Sequence, residues 1–511
     1  MKQVPGLSCF IILLALTSCR TTRVSSKDDG KIDVVLIQVN DVYEIAPVSG
    51  GKEGGMARIA TLKKQYQRSN PNTFMVMGGD FLSPSIYNSL QHNGKRVRGA
   101  QMVDAMNTAG MDFVCFGNHE FDINERELQD RLNESTFTWI SSNAFHKVNN
   151  NIVPFTKSGS NAATVPASFI KTIKDADGTT AKIGFMGLVL PVNRADYVSY
   201  TNALTAAKEV YNRLKDSVDA IVAITHQDSA DDKRLAQELP GLAAILGGHE
   251  HTGFLSKVGN VYISKGLSNA RSAFVVTLTI NKLKKDFSVQ PRHINVTDSI
   301  PLDPATTAVV NKWGSIVQKS YDSLGFNING VVLSSGEALD LREEVIYSAP
   351  SNFTRLVTQA MAYACPQADV VMFNAGSARL DDLLVPPVSQ YDILRSMPYG
   401  GGIREADMKG SMLIQVLDSA QKNIRKGGWL HYQPVVRNAT THTYLTNNIA
   451  LDPDKIYRVA LTDFLLTGKE IRLDFLNDKN PGIVKLHPAE TAPGNPKSDI
   501  RLAVVKYLMK K

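Results

Sequence analysis

Gly117-Asn118-His119-Glu120-Phe121-Asp122 follows the mostly apolar run Met111-Asp112-Phe113-Val114-Cys115-Phe116 and closes it with a cluster of polar side chains. Bounded by Gly110 and Gly117, the run predicts a short buried strand. A strand that stops at glycine and passes Asn, His and Asp to the next loop puts polar groups where α/β sheets place their sites. Asn118 can offer an amide oxygen to a hard cation. His119, with Asp122 one helical turn on, can meet a developing negative charge.

The same arrangement recurs on either side. Residues 31–39 are nearly continuous in apolar side chains, as a strand buried on both faces requires, and lead into Asn40-Asp41-Val42-Tyr43-Glu44. Residues 73–77 read as a strand broken by Gly78-Gly79, which delivers Asp80. Helices are expected over 54–64 and from about 101 to 109. Further on, 182–189, 219–224 and 242–246 read as strands, with a helix over 206–217; the last two strands end at Thr225-His226-Gln227 and Gly247-Gly248-His249-Glu250-His251. Asp41, Asp80, Asn118, His226, His249 and His251 therefore all fall at strand ends. Four of the chain's ten histidines lie in these motifs. Two divalent ions held roughly 3.5 to 4 Å apart need a bridging carboxylate, further oxygen donors and several imidazoles, which is this set.

At 511 residues, with 43% hydrophobic and 21% charged side chains, the chain has an ordinary globular composition and exceeds what one core covers. Two domains and a helical connector are expected. A net charge of +7 without a dense basic run suits an anionic substrate and does not argue for nucleic acid. The apolar run over 10–16 is too short to span a bilayer and matches a signal-peptide core. It ends in Leu16-Thr17-Ser18-Cys19, which resembles the lipobox of bacterial lipoproteins. That resemblance implies a signal peptide over 1–18, acylation of Cys19, a polar tether over 19–30 and a lipid-anchored protein of the cell envelope, on the outer membrane or the periplasmic face. Cys115 and Cys365 sit in apolar surroundings and read as buried residues, with a pairing between them left open.

Asp41, the Gly79-Asp80 step, Gly117-Asn118-His119-Glu120, His226 and Gly248-His249-Glu250-His251 resemble the calcineurin-like metallophosphoesterases. With Asn40-Asp41 at the first strand and Asn374-Ala375-Gly376-Ser377-Ala378-Arg379 later, the pattern is similar to the secreted 5′-nucleotidase and UDP-sugar hydrolase family over nearly the whole mature chain. The resemblance implies an α/β protein: a four-layer metallophosphoesterase β-sandwich flanked by helices over 31–300, a linker helix over 301–326, and a smaller α/β substrate-binding domain over 327–511. It implies two divalent metal ions, zinc, manganese or similar, bridged by Asp80, with Asp41 and His251 on one and Asn118, His226 and His249 on the other. His119 with Asp122 is the implied catalytic dyad, the imidazolium stabilising the phosphoryl oxygens while metal-bound hydroxide attacks. The implied activity is hydrolysis of nucleoside 5′-monophosphates. A 2′,3′-cyclic nucleotide or nucleotide sugar as substrate, and nucleotide binding without catalysis, are the alternatives.

The chain departs from the family at Tyr43, where a His ligand is usual. Tyr43 coordinates, or water or Glu44 fills the position, or the first ion is weakly held.

In the second half, Asp303-Pro304 opens a helix whose stripe of Val309, Trp313, Ile316, Val317, Tyr321 and Leu324 faces a neighbouring domain. The helix opened by Ser351 carries Arg355, where some family members place a substrate-contacting Arg. A strand over 370–373 leads to Asn374, Gly376 and Arg379, an amide and a guanidinium on a glycine-permitted loop suited to an anion. Tyr399 and Phe464 fall where the family carries two aromatics that sandwich the base. The Gly-Gly-Asp-Gly loop expected after Phe464 is replaced by Thr467-Gly468-Lys469-Glu470-Ile471-Arg472, which leaves the ribose contact open, with Glu470 as a candidate substitute.

Overall fold

The computed structural model describes residues 28–159, 162–192 and 195–510. The expected signal peptide, the acylated Cys19 and most of the tether lie outside these residues.

The first three apolar runs become β1 (Lys31–Val39), β2 (Thr73–Met77) and β3 (Phe113–Cys115), and with β4 (Thr138–Ile140), which was not read from the sequence, they are parallel neighbours in that order. Six further strands are β5 (Ser168–Lys174), β6 (Thr180–Val189), β7 (Ala220–His226), β8 (Ala244–Gly248), β9 (Phe254–Val258) and β10 (Val261–Lys265). They form a second sheet in the order β5-β6-β7-β8-β10-β9. The hairpin β11 (Ser272–Asn281) and β12 (Asp286–Asn295) then returns to the first sheet and pairs antiparallel with β1. Like the buried strands β10 and β11, strands β5, β9 and β12 were not expected from the sequence. The latter three are antiparallel edges whose side chains are mostly partly or fully exposed, so their apolar signal is diluted.

The two sheets pack face to face through residues such as Leu36, Val76, Phe113, Ile140, Phe185 and Ile224. The rings of Phe113 and Phe185 stack with centroids 4.6 Å apart. At Gly187 of β6 a Cβ would stand 2.1 Å from the Ile140 carbonyl oxygen, so the sheets approach too closely here for any side chain. Helices α1 (Met56–Ser69) and α2 (Ala100–Ala109) cover the outer face of the first sheet, and α3 (Ala203–Leu214) and α4 (Ser229–Glu238) that of the second. Four layers result, with every parallel strand buried on both sides.

Linker helix α5 (Pro304–Asp322) starts as expected, its first turn capped by the Asp303 carboxylate, which accepts from the Thr306 N–H at 3.1 Å. Val310, Trp313, Val317 and Tyr321 are buried, and the Trp313 indole donates to Asp104 of α2 at 2.9 Å. Leu324 lies past the helix end and is exposed. The second domain is built on β13 (Val370–Asn374), β14 (Ile403–Lys409), β15 (Leu430–Gln433), β16 (Ile456–Thr462) and β17 (Ile483–Leu486), in the order β15-β13-β16-β14-β17. Helices α6 (Asn352–Ala364) and α8 (Ile500–Lys510) pack on one face of this sheet and α7 (Gly410–Gln421) on the other. Cys115 and Cys365 are both buried and unpaired as cysteines, which closes the question of a disulfide between them.

Gly187→Ala is expected to force the sheets apart and cost ~1–3 kcal/mol of unfolding free energy. The check is a lower urea midpoint with an unchanged slope.

Candidate active site

The polar groups at the strand ends meet where the two sheets face each other. Asp41 follows β1, Asp80 follows β2 and His226 closes β7; one ligand atom from each lies within 4.8 Å of the others, and all three residues are buried. His226 Nε2 is 3.1 Å from Asp80 Oδ2 and 4.0 Å from Asp41 Oδ1. Its Nδ1 lies 2.8 Å from the Gly78 carbonyl, which can only accept, so Nδ1 carries a proton and Nε2 faces the carboxylates. His251 Nε2 lies 3.5 Å from Asp41 Oδ1, and the His249 ring stands 5.3 Å from that of His226. Asn118 is buried beside them on the loop after β3, and the next backbone N–H, of His119, donates to Asp80 Oδ1 at 2.8 Å.

The backbone pays for this convergence with unusual torsions. Asp41, Asp80, His249 and His251 take φ values of 52°, 56°, 96° and 55°. At Gly117 a Cβ would come 2.1 Å from Asp80 Oδ1, and at Gly248 2.4 Å from the Gly78 carbonyl oxygen. Glu120, a member of the opening hexapeptide with no role legible in the sequence, holds these loops together. Its buried carboxylate accepts from the backbone N–H groups of Gly117, Asp80, Phe81 and Leu82 at 2.5, 2.8, 2.7 and 3.0 Å. Burial, then the neighbouring Asp80 charge, pushes its carboxyl up to about 7.

Burial opposes every charge in this pocket, yet the groups charge one another. The imidazoles of His226 and His119 hold Asp80 far below the carboxylate range. Burial would depress His226, but Asp80 and Asp41 raise it to about 10; His251, with Asp41 as its partner, is raised to about 9. Among the described residues Asp41 Oδ1 accepts no hydrogen bond. Buried carboxylates, imidazole nitrogens and an amide around such an oxygen are the donor set of a divalent cation, whose charge offsets the same carboxylates. The residues present fit such an ion.

Tyr43 answers the question raised by its position. Its hydroxyl donates to Asp80 Oδ2 at 3.1 Å and lies 3.0 Å from His251 Nε2. Burial and the Asp80 charge push this phenol well above its ordinary range, so it enters the pocket as a neutral group. Glu44 does not turn toward the site: its carboxylate accepts from the hydroxyl of Tyr391 in the second domain.

His119 Nδ1 lies 2.6 Å from Asp122 Oδ2, the expected dyad geometry. Burial works against a second proton on this ring, while Asp122 and Asp80 raise its pKa. Its Nε2 stands 3.1 Å from Nη2 of Arg379, which reaches across from the second domain. A guanidinium only donates, so Nε2 accepts here and the ring proton sits toward Asp122. Arg379 is steadied by the Tyr347 hydroxyl at 3.0 Å and Glu343 at 3.1 Å, two residues the sequence reading did not single out. Two positions on, Asp381 Oδ2 lies 3.6 Å from His251 Nδ1.

Asn374 is buried, and its amide donates to Glu470 at 2.9 Å. Glu470 is thus occupied in fixing Asn374 and in accepting from its neighbour Ile471, which corrects the suggestion that it faces a ribose. Gly376 packs against the backbone of Gly427, the N–H to carbonyl distance being 2.7 Å. Tyr399 and Phe464 are 53% and 40% exposed on adjoining segments, where the Asp463 N–H donates to the Gly402 carbonyl and the Gly402 N–H to the Asp463 carboxylate, so both rings remain available to a ligand. Arg355 is not drawn in: it is exposed on α6, and its guanidinium donates to the Pro350 carbonyl at 3.0 Å.

The family model described as calcineurin-like phosphoesterase matches residues 34–253, and that of the 5′-nucleotidase C-terminal domain matches 332–476. The chain is 24% identical over 474 residues to the 5′-nucleotidase of Bos taurus, across 81% of this chain and 78% of the relative. It is 23% identical over 510 residues to protein UshA of Yersinia enterocolitica, across 87% of each. The crystal structure of a 5′-nucleotidase precursor from Thermus thermophilus superposes with a TM-score of 0.66 at 19% identity, covering 94% of this chain and 96% of that one, a likeness of fold.

Glu120→Ala strands four buried N–H donors, and at ~1–3 kcal/mol for a single unsatisfied group the loss should reach at least about 3 kcal/mol. Glu120→Gln, which keeps a carbonyl acceptor, should lose less, and comparative denaturation of the two variants checks the ordering.

Proposed function

Because the chain belongs to the family that joins a calcineurin-like phosphoesterase domain to a 5′-nucleotidase C-terminal domain and is a phosphoester hydrolase, we propose that its substrates are nucleoside 5′-monophosphates, cleaved to nucleoside and phosphate. The observation that carries this reading is the meeting of Asp41, Asp80 and His226 in one buried cluster beside the His119–Asp122 pair.

In this reading Asp80 would serve both of two divalent cations, with Asp41 and His251 as the residues that would hold one and Asn118, His226 and His249 those that would hold the other. Bound there, the cations supply Lewis acidity and acidify water. The neutral Tyr43 phenol, a poor donor compared with imidazole, leaves the Asp41 side the weaker of the two. The chain's own groups do the rest. Arg379 trades its contact with His119 for a phosphoryl oxygen, with Asn374 beside it and Gly376 allowing the loop's close approach. His119 Nε2, released, takes up a proton and faces the charge that grows on the phosphoryl oxygens, while Asp122 holds Nδ1 and fixes the ring. Tyr399 and Phe464 grip the base between their faces, which gives affinity with little base selectivity. The export signal and Cys19 belong to the same proposal, as a lipid tether in the cell envelope.

The test is hydrolysis of a panel of AMP, a 2′,3′-cyclic nucleotide, a nucleotide sugar and base-less ribose 5-phosphate, measured with the metal content of the purified protein. AMP should be preferred, ribose 5-phosphate should need a higher concentration, and a chelator should abolish turnover. No turnover of any of the four with Mn²⁺ or Zn²⁺ supplied would overturn the proposal. His119→Ala should lower kcat by roughly 10²–10⁴-fold while metal content stays unchanged. Cys19→Ser should move the protein from the membrane to the soluble fraction and end its labelling by palmitate.

A further inference from the structure

A lysine is enclosed at the end of β10. Lys265 is buried, and its Nζ lies 2.6 Å from the Gln227 carbonyl, 2.5 Å from Glu250 Oε2 and 3.0 Å from Asp232 Oδ2. Gln227 follows His226 directly, and Glu250 stands between His249 and His251. One ammonium thereby touches the loop after β7 and the loop after β8, the two loops of the second sheet that carry imidazoles into the pocket. Glu250 is fixed at its other oxygen as well, accepting from the hydroxyl and the N–H of Ser229 at the start of α4. Asp232, in the same helix, accepts from the Gln227 side chain at 3.1 Å.

Two features separate this cluster from a buried ion pair of merely structural kind. The residues on either side of Glu250 hold left-handed torsions, φ 96° at His249 and φ 55° at His251, which a histidine keeps only when its surroundings over-determine it. The anchors on Glu250 lie between them, beside the His249 N–H bond to Asp41 and the Ser268 N–H bond to the His251 carbonyl. The fit is also specific to the lysine: a Cβ at Gly247 would come 2.8 Å from Lys265 Cε, so the glycine opens the path along which this side chain reaches the loops.

We infer that Lys265 is a positioning residue which, through Glu250 and the Gln227 carbonyl, braces the two loops against each other and so sets how tightly His226, His249 and His251 hold divalent cations. This rests on the cation reading of the site. Imidazole donors pre-aligned by neighbouring groups bind metal more tightly because less order is lost on binding.

The experiment compares the full chain with Lys265→Met and Glu250→Ala. Each protein is stripped with chelator, its unfolding temperature recorded, and Mn²⁺ titrated by calorimetry. Both variants are expected to bind Mn²⁺ roughly 10–100-fold more weakly, and the double variant no more weakly than the worse single one. At saturating Mn²⁺ most of the turnover should return, because neither side chain touches substrate. Glu250, whose side chain is 27% exposed, is the safer change, and it decides the matter if Lys265→Met does not fold. Unchanged Mn²⁺ affinity in a folded Glu250→Ala protein would overturn the inference. Absence of Mn²⁺ and Zn²⁺ binding by the wild-type chain would instead overturn the reading of the site itself.

Discussion

Two carboxylates, Asp41 and Asp80, buried side by side at the ends of adjacent parallel strands, are the constraint on which the rest depends. Neither charge is tolerable there without compensation. The compensation comes from a different sheet, through His226 and His251, so the two sheets must lie face to face with their strand ends aligned. The stacking of Phe113 on Phe185 and the bare backbone at Gly187 allow that approach. Glu120 then ties the loop after β2 to the loop after β3 by four N–H bonds, so the ligand-bearing turns cannot drift independently.

The second domain reaches the same pocket from the other side. Arg379 stands at His119, Asp381 faces His251, Arg271 pairs with Asp382, and Tyr391 closes on Glu44. Arg379 to Asp382 form one short stretch, so a single loop meets the dyad and the far side of the cluster together. Any change in how the domains sit is therefore felt at once by His119 and by an imidazole facing Asp41.

Much of this was legible in the sequence because parallel strands buried on both faces leave continuous apolar runs, and because each run ends in a polar residue that packing alone does not require. The residues 73–77 strand and the Pro304 start of the linker helix appear as read. Edge strands β5, β9 and β12 escaped because half their side chains face water. Lys265 escaped for a different reason: a lysine closing a short strand reads as solvent-exposed, and only the fold shows that it is enclosed by Asp232 and Glu250. Arg355 misled through its resemblance alone, since helical position cannot say which way a long side chain on α6 will turn. Glu470 misled in the same way, its carboxylate being taken up by Asn374.

The left-handed torsions at Asp41, Asp80, His249 and His251 carry a consequence for inheritance. At each of these positions glycine would relax the main chain while erasing a donor. A lineage released from selection on turnover would therefore meet substitutions that silence the protein and ease its folding at the same time. Loss of these side chains runs downhill for the main chain, whereas keeping them holds it in strained torsions.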